Sequence, residues 1–178
     1  MSTIINKSSN RQEKPDFISK LEKTWSLRLL TADDADEVKP FIALFNDFFQ
    51  LCEGEYGSWD GILKACPPFK DIHRDKFVLG LYYEYMLIGL LDLIRDYPQA
   101  GIWTIGYLLV HPKHQRKGLG SKFIKDLETA LRPSTMRCVV QKQNARALYF
   151  WQNNGFLITS QTQETLGRLE NLTYVLEK

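Results

Sequence analysis

The chain has 178 residues, of which 44% are hydrophobic and 25% charged, with a formal net charge of +2. One domain is the default at this length, with enough chain to bury a core unaided by disulfides, and so small a charge argues against nucleic acid as the main partner. Three cysteines (Cys52, Cys66 and Cys138) without C-x-x-C spacing argue against a disulfide framework or a zinc site and point to a reducing, cytoplasmic compartment. The first residues lack a signal-peptide apolar stretch, and no run reaches the ~18 apolar residues of a membrane helix.

Residues 1–24 are polar and read as a mobile arm that ends in a short helical turn near Phe17–Leu21; residues 25–178 read as one domain. Trp25–Leu30 is the first predicted strand. Thr31 follows as an N-cap, with Asp33 and Asp34 in the first turn, where carboxylates suit the helix dipole. Pro40 is expected to restart a helix at its first position. Phe41, Leu44, Phe45, Phe48 and Phe49 recur at helical spacing, a stripe that predicts core packing. Gly54–Pro68 reads as a loop or an irregular helix pair.

Lys76–Tyr83 and Met86–Ile94 form a predicted hairpin around Glu84–Tyr85, and Trp103–Val110 a long strand that Pro112 ends. Gly118–Leu131 is a predicted helix closed by Pro133, and Met136–Val140 a buried strand. Asn144 caps the next helix, which ends near Gly155; Phe156–Thr162 and Leu172–Leu176 are the last strands. The order β-α-α-β-β-β-α-β-α-β-β predicts a mixed α/β (α+β) sheet, not a repeating βαβ pattern, and there is no internal repeat.

The most informative segment is Val110–Gly120, V-H-P-K-H-Q-R-K-G-L-G. A strand ends, two glycines follow at a spacing of two, and an amphipathic helix begins. Free N–H groups at a helix start form an anion site, and glycines let a phosphate approach the backbone. Lys113, Arg116, Lys117 and Lys122 add positive field. The segment is neither a Walker A loop nor a dinucleotide fingerprint, because Phe123 stands where the third glycine would be. Charge along the chain follows suit: residues 113–146 carry a net +7 and residues 31–60 a net −7. A basic block suits a phosphorylated ligand and an acidic one a cationic ligand.

The run V-x-P-x-x-Q-x-x-G-x-G resembles the acyl-CoA signature of the GNAT superfamily of N-acetyltransferases. Asn144–Phe156, N-A-R-A-L-Y-F-W-Q-N-N-G-F, resembles that family's second signature, N-x-x-A-x-x-x-[aromatic]-x-x-x-G-F. Two matches in the right order are far more specific than either alone, and the resemblance covers residues 25–178. It implies a GNAT-like fold, a central splayed mixed β-sheet flanked by helices, with the pantetheine arm of acetyl-CoA in the splay.

By this resemblance Leu108, Leu109 and Val110 border the pantetheine, with the Val110 backbone bonding its amides. The Leu108 N–H faces the acetyl carbonyl and stabilises the oxyanion. The amides from Gln115 or Arg116 through Lys117, Gly118, Leu119, Gly120 and Ser121 hold the pyrophosphate, and Asn144, Ala147 and Trp151 line the cofactor from the next helix. The reaction implied is transfer of acetyl from acetyl-CoA to a primary amine that must first lose a proton. No metal is expected, since His111 and His114 have H-x-x-H spacing but no third ligand.

Two positions depart from the family pattern. Trp151 stands where many relatives carry a tyrosine acid, and Tyr149, about 200° away around the helix, reads as a packing aromatic. Thr104 stands where many relatives carry a glutamate base; its hydroxyl could hold a water. Asp92, in the middle of an apolar strand, is the alternative carboxylate, either in the site or paired with a basic residue at a strand end. Tyr82, Tyr83, Tyr85, Tyr97, Trp103 and Tyr107 read mostly as core or sheet-edge packing, leaving some for a substrate surface. These departures keep a second reading open, an acyl-CoA-binding sensor or subunit with little turnover. The acidic block predicts a cationic small-molecule or peptide amine as acceptor; neither nucleic acid nor a membrane is an expected partner, and homodimers are common in the family.

Overall fold

The computed structural model describes residues 14–178, so residues 1–13 of the expected arm lie outside the described range. The chain joins the domain before residue 25. α1 (Asp16–Leu21) buries Phe17, Ile18 and Leu21, and the Phe17 ring meets Phe77 and Trp103 at centroid distances of 5.4 and 5.3 Å. This is the helical turn expected near Phe17–Leu21, and three apolar side chains on it give the short segment a face to dock. Phe17→Ala should therefore lower unfolding free energy by about 3 kcal/mol, the usual cost of emptying a buried phenyl site. Urea denaturation measures it; a loss under about 0.5 kcal/mol, the range of a surface substitution, would show that α1 is not docked in solution.

β1 (Ser26–Leu29) leads into a capping box in which Thr31 and Asp34 bond reciprocally to each other's backbone, followed by α2 (Ala35–Ala43) and α3 (Asn46–Glu53). Pro40 does not start a helix, as expected from sequence, but lies inside α2. The upstream capping box nucleates the helix, and burial of Val38, Phe41 and Ile42 carries it past the missing N–H. The break falls instead at Leu44–Phe45. The aromatic stripe is core along Phe41, Phe45 and Phe49, whereas Leu44 is half exposed. α4 (Trp59–Lys64), capped by Ser58, is the regular part of the segment read as a loop or helix pair.

β2 (Lys76–Tyr83) and β3 (Met86–Arg95) form the predicted hairpin; Glu84 and Tyr85 at its tip both have positive φ, as a tight right-twisting hairpin turn requires. β4 (Ile102–Val110), α5 (Leu119–Leu131), β5 (Thr135–Gln141) and α6 (Ala145–Asn153) follow. A long ribbon of β6 (Leu157–Leu166) and β7 (Leu169–Glu177) ends the chain. The ribbon exceeds the predicted strands because its Thr, Gln and Glu positions face solvent, which leaves no apolar run to mark them. No helix among the described residues is long and apolar enough to cross a membrane.

The seven strands lie in one sheet in the order β1-β2-β3-β4-β5-β7-β6. All neighbours are antiparallel except β4 and β5, which are parallel and pair only from Ile102–Ile105 to Thr135–Cys138. Beyond Ile105 the two strands separate: β4 stays on β3 as far as Val110, while β5 follows β7 to the Gln141–Thr173 pair. A bulge falls at Gly106, where the β3–β4 register shifts between Asp92 and Leu93. The extra residue bends β4 and helps open the gap. Gly106 is a steric requirement, because a Cβ there would collide with the Asp92 carboxylate.

One face of the sheet packs α1, α5 and α6 around Phe77, Leu91, Phe123 and Phe156; the other packs α2, α3 and α4 around Val78, Leu90 and Leu109. The gap between β4 and β5 thus opens between two rigid layers.

Candidate functional site

The site begins with the free edge of β4. The His111 N–H donates to Ile88 O on β3 at 2.9 Å. Backbone groups alternate along an antiparallel pair, so those of Leu108 and Val110 turn to the opposite edge, into the gap. This is the orientation an oxyanion donor at Leu108 needs. The Val110 carbonyl is partly occupied: Gln115 Nε2 donates to it at 2.8 Å, which ties the loop to the strand.

The loop then turns into α5. Gly118 occupies the N-cap position at φ 78°, a left-handed conformation that side chains resist, and a Cβ there would meet nothing within 4 Å. The Gln115 N–H is directed at Pro112 O (3.3 Å), and the next amide with a backbone acceptor is Lys122, to Gly118 O at 2.9 Å. The amides from Arg116 through Ser121 have no acceptor among the described residues, a run of donors at the positive end of a thirteen-residue helix. Of the two starting points open in the sequence, the geometry favours Arg116. Gly120 faces α6 across the gap: a Cβ there would stand 3.2 Å from the Phe150 ring and 3.8 Å from Val110 Cγ2. Ser121 also borders an open depression of ≈ 500 Å³ shared with Lys122, Lys125 and Lys178.

From the far side Asn144 caps α6 by accepting the Ala147 N–H at 3.1 Å. Its side chain also reaches the Cys52 thiol, which burial pushes up to about 11. Ala147 is half-buried against the core. Trp151, expected along the cofactor, is instead a core residue: its ring packs between Phe150 and Phe156, at 5.1 and 4.9 Å. Tyr149, read as a packing aromatic, is 70% exposed, because Trp151 takes the inner face of α6 and Tyr149 lies on the other.

The catalytic candidates are dispersed. Thr104 is buried, and its hydroxyl donates to Tyr97 O at 2.6 Å. Asp92 is buried and paired: its Oδ1 lies 2.6 Å from Lys76 Nζ, with side chains 3% and 2% exposed. Burial pushes the Asp92 carboxyl up, and the Lys76 ammonium opposes that shift without overcoming it. Lys76 opens β2, so this is the pairing with a basic residue at a strand end. His111 Nδ1 accepts the Lys113 N–H at 3.1 Å and so serves its own turn.

Sequence reading missed a second cluster. α3 ends over the mouth of the gap, where Glu53 Oε1 accepts the Tyr107 hydroxyl at 2.7 Å. The same helical turn reaches the opposite bank. Asn171 of β7 donates to Cys52 O at 2.9 Å, Gln143 donates to Leu51 O at 3.1 Å, and the Arg168 N–H donates to Glu53 O at 2.7 Å. Glu53 and Tyr107 are 54 positions apart, and no spacing rule joins them. The only signals were an acidic block and a crowd of strand tyrosines.

The sequence pattern of the Acetyltransferase (GNAT) family matches residues 38–156, two thirds of the chain, including Glu53 and everything from Tyr107 to Trp151. The chain belongs to the GNAT acetyltransferase family. Solved GNAT-type structures share its fold. An acetyltransferase from Thermus thermophilus superposes with a TM-score of 0.60 at 24% identity, over 85% of this chain and 96% of that one. PaiA N-acetyltransferase from Thermoplasma acidophilum, solved with coenzyme A, gives 0.61 at 19% identity over 86% and 97%. The ribosomal-protein-S18-alanine N-acetyltransferase of Escherichia coli gives 0.59 at 14% over 85% and 91%. No curated protein matches the chain by sequence.

A GNAT acetyltransferase performs acetyl-CoA-dependent acyl transfer, and the residues present here fit that substrate. The free β4 edge at Leu108 and Val110 offers hydrogen-bonding backbone to a pantetheine arm, and the amides from Arg116 to Ser121 suit a pyrophosphate.

Proposed function

We propose that this protein is an N-acetyltransferase that moves the acetyl group of acetyl-CoA to a primary amine of a cationic small molecule or peptide. The observation that carries the reading is the free β4 edge, which runs directly into a glycine-softened turn of unengaged amides. One surface thereby offers a strand-like partner for an amide-bearing arm and an anion cradle at its end. The Leu108 N–H stabilises the oxyanion as the amine attacks the thioester carbon. Holding amine and thioester together supplies much of the remaining rate enhancement.

The acidic α2–α3 layer supports a cationic acceptor, though part of its charge is matched internally. Arg28 pairs with Asp34 and Glu37, Lys64 with Asp60, and Arg168 with Glu55. A second reading, a CoA-binding sensor, is favoured by the core position of Trp151 and the engaged Thr104 hydroxyl.

Free-thiol release from acetyl-CoA over an amine panel decides between them. The expected result is turnover with polyamines, aminoglycosides or peptide amines, exceeding that with neutral or anionic amines by about tenfold or more, the effect of one well-placed charge pair. Acetyl-CoA binding with no thiol release on any amine would establish the sensor instead.

A further inference from the structure

Among the carboxylates of the described residues, Glu53 alone joins the two banks of the gap. It ends α3, accepts the Tyr107 hydroxyl on the β4 side, and follows Cys52, whose carbonyl and thiol engage Asn171 and Asn144 on the other side. Tyr107 immediately precedes Leu108, the residue whose N–H faces the gap. Its ring is wedged against Phe48 and Phe49, so the Glu53–Tyr107 pair is held by the core of the α2–α3 layer. Glu53 is half-buried, unlike Asp92, which is sealed with Lys76 and out of reach of any acceptor.

We infer that Glu53 is the catalytic carboxylate of the transfer, binding the acceptor's ammonium and taking its proton, with Tyr107 as the positioning residue. The inference rests on the N-acetyltransferase reading above. Glu53 as carboxylate takes one proton from R–NH₃⁺ and becomes the acid. The freed amine attacks the acetyl carbonyl, the N–C bond forms and the C–S bond breaks. The second N–H proton leaves with the thiolate as free thiol, and Glu53 returns its proton to solvent. The sum is ammonium plus thioester to amide, thiol and one proton.

The surroundings suit the task. Burial raises the Glu53 carboxyl above the ordinary range, Glu55 raises it further, and the Tyr107 hydrogen bond pulls it partly back. A more basic carboxylate is a better proton acceptor near neutrality. The other groups facing the pair are the Cys52 thiol and, through Tyr107, Asp92; Arg168 faces Glu55. The α3 carbonyl end adds a negative field that welcomes a cation.

The test is a pH profile of kcat/KM for the wild type, Glu53→Gln, Glu53→Asp and Tyr107→Phe on the best amine of the panel, with CoA affinity and Tm as fold controls. Glu53→Gln should lose about 100-fold or more in kcat/KM, the usual worth of a general base, at unchanged CoA affinity. It should also lose the limb that rises as a carboxylate deprotonates; Glu53→Asp should restore part of both. Tyr107→Phe should lose about tenfold and move the limb to higher pH, since removing the donor leaves the carboxylate harder to ionise. An active wild type with Glu53→Gln inside threefold of it and the limb retained overturns this inference alone. A wild type inactive on every amine overturns the N-acetyltransferase reading, and this one with it.

Discussion

Gly120→Glu should reduce CoA affinity by more than about 100-fold while leaving the fold intact. The carboxylate would enter the space between Val110 and Phe150, beside the amides from Arg116 to Ser121. A like charge set against a pyrophosphate costs several kcal/mol, and each 1.4 kcal/mol is about tenfold in affinity. Gly120→Ala isolates the steric component. Its Cβ would press on Phe150 at 3.2 Å, a contact that a small ring shift relieves, so the loss should stay within about tenfold. Calorimetric titration with CoA, paired with thermal melts of both variants, reads the result. Unchanged affinity in the glutamate variant would remove the cofactor from this loop.

Lys76→Met should lower stability by about 3–5 kcal/mol, because it leaves the Asp92 carboxylate buried without its ammonium. Lys76→Met combined with Asp92→Leu should recover most of the loss, since an apolar pair of similar volume carries no desolvation penalty. The sign of the pH dependence follows from burial, which raises the folded pKa of Asp92. The native single variant then binds more protons than the unfolded chain between the unfolded and folded pKa values. Its stability is highest below the unfolded value and falls as pH rises through the folded one. Urea unfolding of the single variant at pH 5 and 8 should show the larger deficit at pH 8. A single variant as stable as the wild type at both would mean the two side chains are not paired in solution.

The buried ion pair also bears on chemistry. A carboxylate in mid-strand invites a catalytic reading from sequence, because an acid among Leu and Ile needs a reason to be there. Lys76, sixteen positions away, supplies that reason. The pairing is invisible along the chain and is produced by the hairpin register, which sets Asp92 opposite Val78, two pairs from Lys76 and Ile94 and so on the same face as Lys76.

Much of the protein was legible from local pattern. The hairpin, the helix after the glycine loop, the Asn144 cap and the Thr31 cap are each specified by residues within one or two turns of one another. The same holds for the donor-rich turn, where two glycines, a strand end and a helix start are contiguous. Such features are short-range, and the backbone chemistry of a few neighbours determines them. What the sequence could not assign depended on which surfaces meet. Pro40 stayed inside a helix because a cap upstream and burial downstream outweighed one lost hydrogen bond. Trp151 became core and Glu53 came to face Tyr107 because α6 and α3 dock on opposite layers of a sheet that splits between β4 and β5. Sequence alone therefore determined the family and the donor-rich turn after β4. Only the tertiary structure decided which carboxylate overlooks the gap, because packing sets contacts between residues far apart in the chain.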